Sequence, residues 1–213
     1  MEPVQIGRKR LSEVVWNIID ERMVDYPYEA IEKIIEDQQD LREYAEHNTG
    51  SVPYDDAMEL YRIVKFFQPG VIAEVGTFIG VSTRTMREAV PHATIYTCDH
   101  SNNIDISPKD TKLFRYPMRA SQEMFADLAE KEIKVDLVYL DGRLSQPDFE
   151  PLAKIVHTDT VFVLDDFEGV EKGVVNALML ESAARVLVYP REGRRTAISL
   201  PMTMLRVVPQ EPT

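Results

Sequence analysis

The sequence predicts an α/β fold in which a mostly parallel sheet is wound on both faces by helices. Three observations carry this. From residue 71 onward, short apolar runs alternate with helical stretches, the pattern of parallel strands buried on both faces. Four of those runs meet an acid at or near their carboxyl ends, at Glu74, Asp99, Asp141 and Asp165. The last two runs flank a turn at Glu192 and Gly193 and read as an antiparallel hairpin.

The first third of the chain reads as helical. Leu11, Val14, Val15, Ile18 and Ile19 recur at helical spacing, and Ile31, Ile34 and Ile35 continue the pattern in a second segment. The run from Gly50 through Ser51 to Pro53 interrupts the helices. Asp55 or Asp56 begins the next one, which carries Met58, Leu60, Tyr61, Ile63, Val64 and Phe67 and stops at Pro69 and Gly70. Strands follow at Val71 to Val75, Ala93 to Asp99, Lys112 to Tyr116, Val135 to Asp141, Thr160 to Asp165, Val186 to Tyr189 and Thr196 to Leu200. Helices are expected between them at Ser82 to Val90, Ser121 to Lys131, Phe149 to His157 and Val170 to Arg185.

The 213 residues suffice for one domain with a sizeable core. No apolar run approaches the ~18 residues of a membrane span, and residues 1–10 lack the apolar stretch of a signal peptide, so a cytoplasmic protein with no membrane partner is expected. Cys98 stands alone in the sequence, which excludes an intrachain disulfide and a cysteine-built zinc site and fits a reducing compartment. Acids outnumber bases by 36 to 24, and the resulting charge of −12 repels a phosphate backbone, so no nucleic-acid partner is expected.

In open α/β sheets ligands bind at the carboxyl ends of the strands, where the four acids fall. After the first strand, Gly76 and Gly80 are separated by Thr77, Phe78 and Ile79. Glycines allow a tight turn and close ligand approach, and the amides at the start of the next helix suit a carboxylate. Phe78 breaks the Gly-x-Gly-x-x-Gly pattern of a pyrophosphate cradle, which leaves an amino-acid-tailed cofactor or a plain tight turn. Asp99 accepts ribose hydroxyls or caps its own loop, and His100 lines the same pocket or faces water. Asp141, Asp165 and Asp166 end adjacent strands. They hold a hard cation such as Mg²⁺, without which they would repel one another, or they are caps and loop charges in water.

The run from Glu74 through Gly76 and Gly80 to Ser82 resembles motif I of S-adenosylmethionine-dependent O-methyltransferases of the catechol O-methyltransferase-like group. Arg119-Ala120-Ser121-Gln122 is similar to the Gly-Ala-Ser-Gln of those enzymes, with Arg119 in place of glycine. The Asp165-Asp166 pair looks like that of the macrocin-type sugar O-methyltransferases. The resemblance runs from about Val52 to Leu200. It implies a class I, Rossmann-like sheet of seven strands. It implies S-adenosylmethionine held by Glu74, Gly76, Thr77, Phe78, Gly80, Ser82, Asp99, His100, Ala120, Ser121, Gln122 and Asp141. Ser121 also suits a helix N-cap. A divalent ion, Mg²⁺ or similar, would sit on Asp141, Asp165 and Asp166 and activate a small-molecule hydroxyl. Residues 1–50 would be a helical extension, serving as a lid or a homodimer element, ahead of a transferase domain over 51–213.

The sequence departs from the family at the base. Asp141 is followed by Gly142, Arg143 and Leu144, where relatives carry an Asp or a Lys. Arg143 stays protonated and serves only to pair, with a substrate carboxylate or with Asp165. Asp141 and Arg143 are therefore the candidates on the catalytic side, and a non-catalytic cofactor-binding or interaction protein is the alternative. Trp16 reads as core. His47, His92 and His157 are scattered, and Arg191 to Arg195 reads as a solvated turn.

Overall fold

The computed structural model describes residues 3–23, 26–37, 52–101, 110, 112–184 and 186–200, with side chains from residue 10 onward. His47, the Gly50-Ser51 break and Arg185 lie outside the described residues. Helices α1 (Pro3–Arg22), α2 (Tyr28–Glu36) and α3 (Tyr54–Phe67) precede strand β1 (Val71–Val75). Then come α4 (Val81–Ala89), β2 (Thr94–Asp99), β3 (Leu113–Pro117), α5 (Ser121–Glu130) and β4 (Leu137–Leu140). A 3₁₀ turn at Gln146–Asp148 leads into α6 (Phe149–Ile155), followed by β5 (Val161–Leu164), α7 (Lys172–Ala183), β6 (Val188–Pro190) and β7 (Ala197–Ser199).

The strands form one sheet in the order β3-β2-β1-β4-β5-β7-β6. The pairs from β3 to β5 are parallel, and β7 runs antiparallel to both β5 and β6. The antiparallel strand is thus second from the edge, because the tight turn after β6 folds β7 back between β6 and β5.

Alternation along each strand builds two cores, one on each face of the sheet. Ile72, Leu137, Tyr139, Val161, Val163 and Ile198 point to one side, where Val15, Trp16, Ile19, Ile31, Ile63, Val64 and Met86 of the first four helices cover them. Ala73, Val75, Val138, Leu140, Phe162 and Leu164 point to the other, against Phe125, Leu128, Leu152, Ile155, Ala177 and Leu180. Trp16 belongs to the first core, 4% exposed, with its indole nitrogen facing the Tyr189 carbonyl at 3.4 Å.

Two helix ends differ from the sequence reading. Helix α3 starts at Tyr54 after Pro53, with neither Asp55 nor Asp56 as its cap. It ends at Gln68, whose left-handed backbone (φ 50°) stops the helix one residue before Pro69.

Candidate active site

The four strand-end acids meet at the carboxyl edge of the sheet. The turn after β1 is closed by the protein's own chain. Gly76 has φ 92°, and a Cβ there would lie 2.9 Å from both the Asp141 carbonyl carbon and the Gly142 nitrogen. Glycine at 76 is therefore required by the β4 loop, in keeping with the tight-turn role expected of it. Gly142 answers it, since a Cβ there would sit 2.7 Å from Val75 Cγ1. Gly80, with φ 86°, is the N-cap of α4, and Phe78 between the glycines is also left-handed at φ 46°.

Glu74 lies inside this turn with no solvent exposure. Ser82 donates to one carboxylate oxygen and Thr83 to the other, each at 2.5 Å. Burial raises the Glu74 carboxyl to about 7. The hydroxyls of Ser82, Thr83 and Thr97 oppose the rise, and the charge of Asp99 adds to it. The Ser82 hydroxyl is thus committed to Glu74. Asp99 accepts the amides of Thr77 at 2.8 Å and Phe78 at 2.7 Å on one oxygen. On the other it accepts the amide and hydroxyl of Ser101, each at 2.7 Å. These four bonds use a carboxylate's full accepting capacity. The loop-capping role is therefore realised, and His100 beside it is exposed.

Ser121 begins α5 and donates to Asp148 at 2.6 Å. Asp148 also accepts from the amide and hydroxyl of Ser145. The N-cap is Ala120 rather than Ser121, and its amide donates to Glu123 at 3.2 Å. Gln122 is exposed. The cleft over the turn, lined by Val52, Thr77, Phe78 and Asp141, has about 0 Å³ of open volume. Small-molecule sites typically offer ~300–1,000 Å³.

Asp141, Asp165 and Asp166 do converge, with carboxylate oxygens within 4.8 Å of one another. Protein cations already hold two of them, Asp141 and Asp166. Lys172, the first residue of α7, contacts Asp141 and lies 2.9 Å from Asp166. Arg195 contacts Asp166, with Glu168 at 3.0 Å from its guanidinium. Burial and the charge of Asp165 push the Asp141 carboxyl up, and Lys172 pulls it down. Asp165 is raised by burial and by Asp56, against Lys172, Arg195 and a hydrogen bond from Tyr139. A divalent ion needs carboxylate oxygens at about 2 Å with its remaining positions open to water. The three carboxylates suit such an ion, but the Lys172 ammonium already stands between Asp141 and Asp166, and an ion would have to displace it.

Arg143 is exposed and makes no ion pair with Asp165 or any other described residue. The cause is Asn176, fully buried on α7, which donates to the Gly142 carbonyl at 2.8 Å and accepts the Leu144 amide at 2.9 Å. That clamp turns Leu144 inward and Arg143 out. The tip of the hairpin, Glu192 to Arg194, is exposed as expected of a solvated turn, but Arg191 and Arg195 at its ends are held by ion pairs. Arg191 pairs with Glu59 and Asp20 and lies over the Trp16 ring at 5.0 Å. Lys172, Arg195, Asn176 and Asp148 escaped the sequence reading because each acts across a long sequence separation. Only the Gly173 that follows Lys172 hinted at a close approach.

A separate cavity of about 890 Å³ opens between α1, α7 and the hairpin, lined by Trp16, Asp20, Phe167, Leu178 and Arg191 among others. Phe167 directly follows the Asp165-Asp166 pair.

Solved structures share this architecture. An O-methyltransferase of Bacillus cereus, in complex with SAH, superposes with a TM-score of 0.59 at 14% identity, covering 88% of this chain and 97% of that one. The chain has the methyltransferase fold. The O-methyltransferase TomG of Streptomyces achromogenes, involved in tomaymycin synthesis and in complex with SAM, gives 0.58 at 17% identity over 81% and 89% of the two chains. An SAH-bound methyltransferase of Podospora anserina gives 0.60 at 12% identity over 90% and 95%. No family model and no curated protein matches the sequence. On this methyltransferase fold, no described helix is long and apolar enough to cross a membrane.

Proposed function

We propose that this protein is an S-adenosylmethionine-dependent O-methyltransferase acting on a small-molecule hydroxyl in the cytoplasm. The observation that carries the reading is the convergence of the Gly76–Gly80 turn, Asp99 and Asp141 at the carboxyl edge of a methyltransferase-fold sheet. In this reading the amides at the start of α4 face the cofactor's carboxylate. Asp99 exchanges its bonds to the Thr77 and Phe78 amides for the ribose hydroxyls. Ala120 and Gln122 border the adenine, and Ser121 orders that wall through Asp148. Transfer is in line from the sulfonium methyl to the acceptor oxygen, driven by positioning. A magnesium ion would have to displace Lys172 from Asp141 and Asp166, so the acceptor is positioned by the protein's own groups. Residues 1–50 serve as the extension that lids the acceptor or joins two copies, ahead of the domain over 51–213.

The 890 Å³ cavity is the acceptor pocket of this proposal. Its apolar walls, Trp16, Phe167 and Leu178, alternate with the carboxylates of Glu13, Asp20, Glu181 and Glu192, with Arg191 already paired to Asp20. Such a lining favours neutral or amine-bearing aromatic or alicyclic alcohols over carboxylates and phosphates.

The closed cleft and the four bonds on Asp99 favour a second reading, a non-catalytic protein of this fold that binds partners or cofactor without turnover. Titration calorimetry with S-adenosylhomocysteine and a turnover assay together separate the two. Micromolar binding, weakened about tenfold or more by Asp99→Ala, supports the transferase reading. A panel of phenols, sugars and hydroxy acids then identifies the acceptor by release of S-adenosylhomocysteine, and binding without turnover on any of them supports the second reading. Absence of binding sinks the transferase reading and leaves the interaction protein.

A further inference from the structure

The sequence pattern asks for a divalent cation among Asp141, Asp165 and Asp166, and the structure puts a side chain there. Lys172 reaches in from the first residue of α7 to contact Asp141 and lies 2.9 Å from Asp166. Its own side chain is only 24% exposed. Arg195 covers the other oxygen of Asp166.

The backbone is built to hold the lysine in place. A Cβ on Gly173 would meet the Asp165 carbonyl oxygen at 2.1 Å and the Asp166 carbonyl carbon at 2.8 Å. Only glycine lets the start of α7 rest directly on the Asp165-Asp166 backbone. One turn on, Asn176 clamps the carbonyl of Gly142 and the amide of Leu144. A single helix end therefore sets both the lysine and the loop that follows Asp141. Asp166 itself is left-handed at φ 50°, which turns its carboxylate back toward α7.

We propose that Lys172 is the resident cation of this acid cluster, so that the site works without a divalent metal. An acceptor hydroxyl arriving beside Asp141 meets an ammonium that has three donors and already faces Asp141 and Asp166. This rests on the methyltransferase reading for the acceptor. The cation assignment itself concerns only Lys172 and the acids.

Manganese titration of the full chain, read by electron paramagnetic resonance, tests it without cofactor or acceptor, so its failure and that of the transferase reading are distinguishable. A site counts only if Asp141→Asn removes it. The wild type is expected to show none. Lys172→Met, which keeps the stem volume, and Lys172→Gln are each expected to gain one site per chain, binding about tenfold or more tighter than wild type. A stoichiometric site in the wild type overturns the proposal, and so does the absence of a site in both folded Lys172 variants. Should neither variant fold by circular dichroism, the wild-type titration decides alone.

Discussion

At the scale of single residues, the site is governed by which oxygens are already bonded. Glu74 shows what burial does. Its carboxyl stands at about 7 against an ordinary 4.5, so folding favours the protonated form. The stability this confers is complete below about pH 4.5, declines as pH rises toward 7, and is lost above that. The swing is about 3 kcal/mol. Glu74→Gln cannot titrate, so urea denaturation of wild type and variant should diverge by that amount across the window, with the wild type losing. Parallel pH profiles would refute the assignment. Arg143 makes the opposite case. Exposed and without a partner among the described residues, it should tolerate Arg143→Ala within about 0.5 kcal/mol by the same measurement. A large loss would mean that the residue is engaged after all.

At the scale of elements, the strands and the span of α7 were legible, and the contacts made by the start of α7 were not. Runs such as Val71–Val75 and Val161–Leu164 are apolar because both faces are covered, and their terminal acids mark the carboxyl edge. The hairpin was readable from its turn residues, but not the insertion of β7 between β5 and β6. Lys172 follows Glu171 in the first turn of the expected helix. Nothing local says that Asp141, 31 residues earlier, lies against it. Gly173 carries the hidden constraint, and substitution exposes it. Gly173→Ala should cost roughly 3 kcal/mol, since the new Cβ collides with backbone that cannot rotate away. Gly169→Ala is the control. Its Cβ would have no neighbour within 4 Å, and only its φ of +56° is penalised, at about 1 kcal/mol. Equal losses in chemical denaturation would mean that α7 does not press on the Asp165-Asp166 backbone.

At the scale of the molecule, the question is whether the N-terminal helices belong to the sheet. Val15, Trp16 and Ile19 of α1 share one core with β1, β4 and β5. Arg191, on the turn after β6, joins α1 through Asp20 and α3 through the buried Glu59. The chain has one tryptophan, so Trp16 reports on that junction alone. If α1 is part of the sheet's cooperative unit, fluorescence of Trp16 and far-ultraviolet dichroism should trace one coincident denaturation curve. Arg191→Ala leaves Glu59 buried with only the longer Arg62 contact of 3.5 Å, so that curve should shift by about 3 kcal/mol. The two probes should still coincide, because the apolar contacts of Val15, Trp16 and Ile19 remain. A fluorescence transition that precedes the dichroism in the wild type would instead make α1 a separately melting extension, and the walls of the 890 Å³ cavity would then come and go with it.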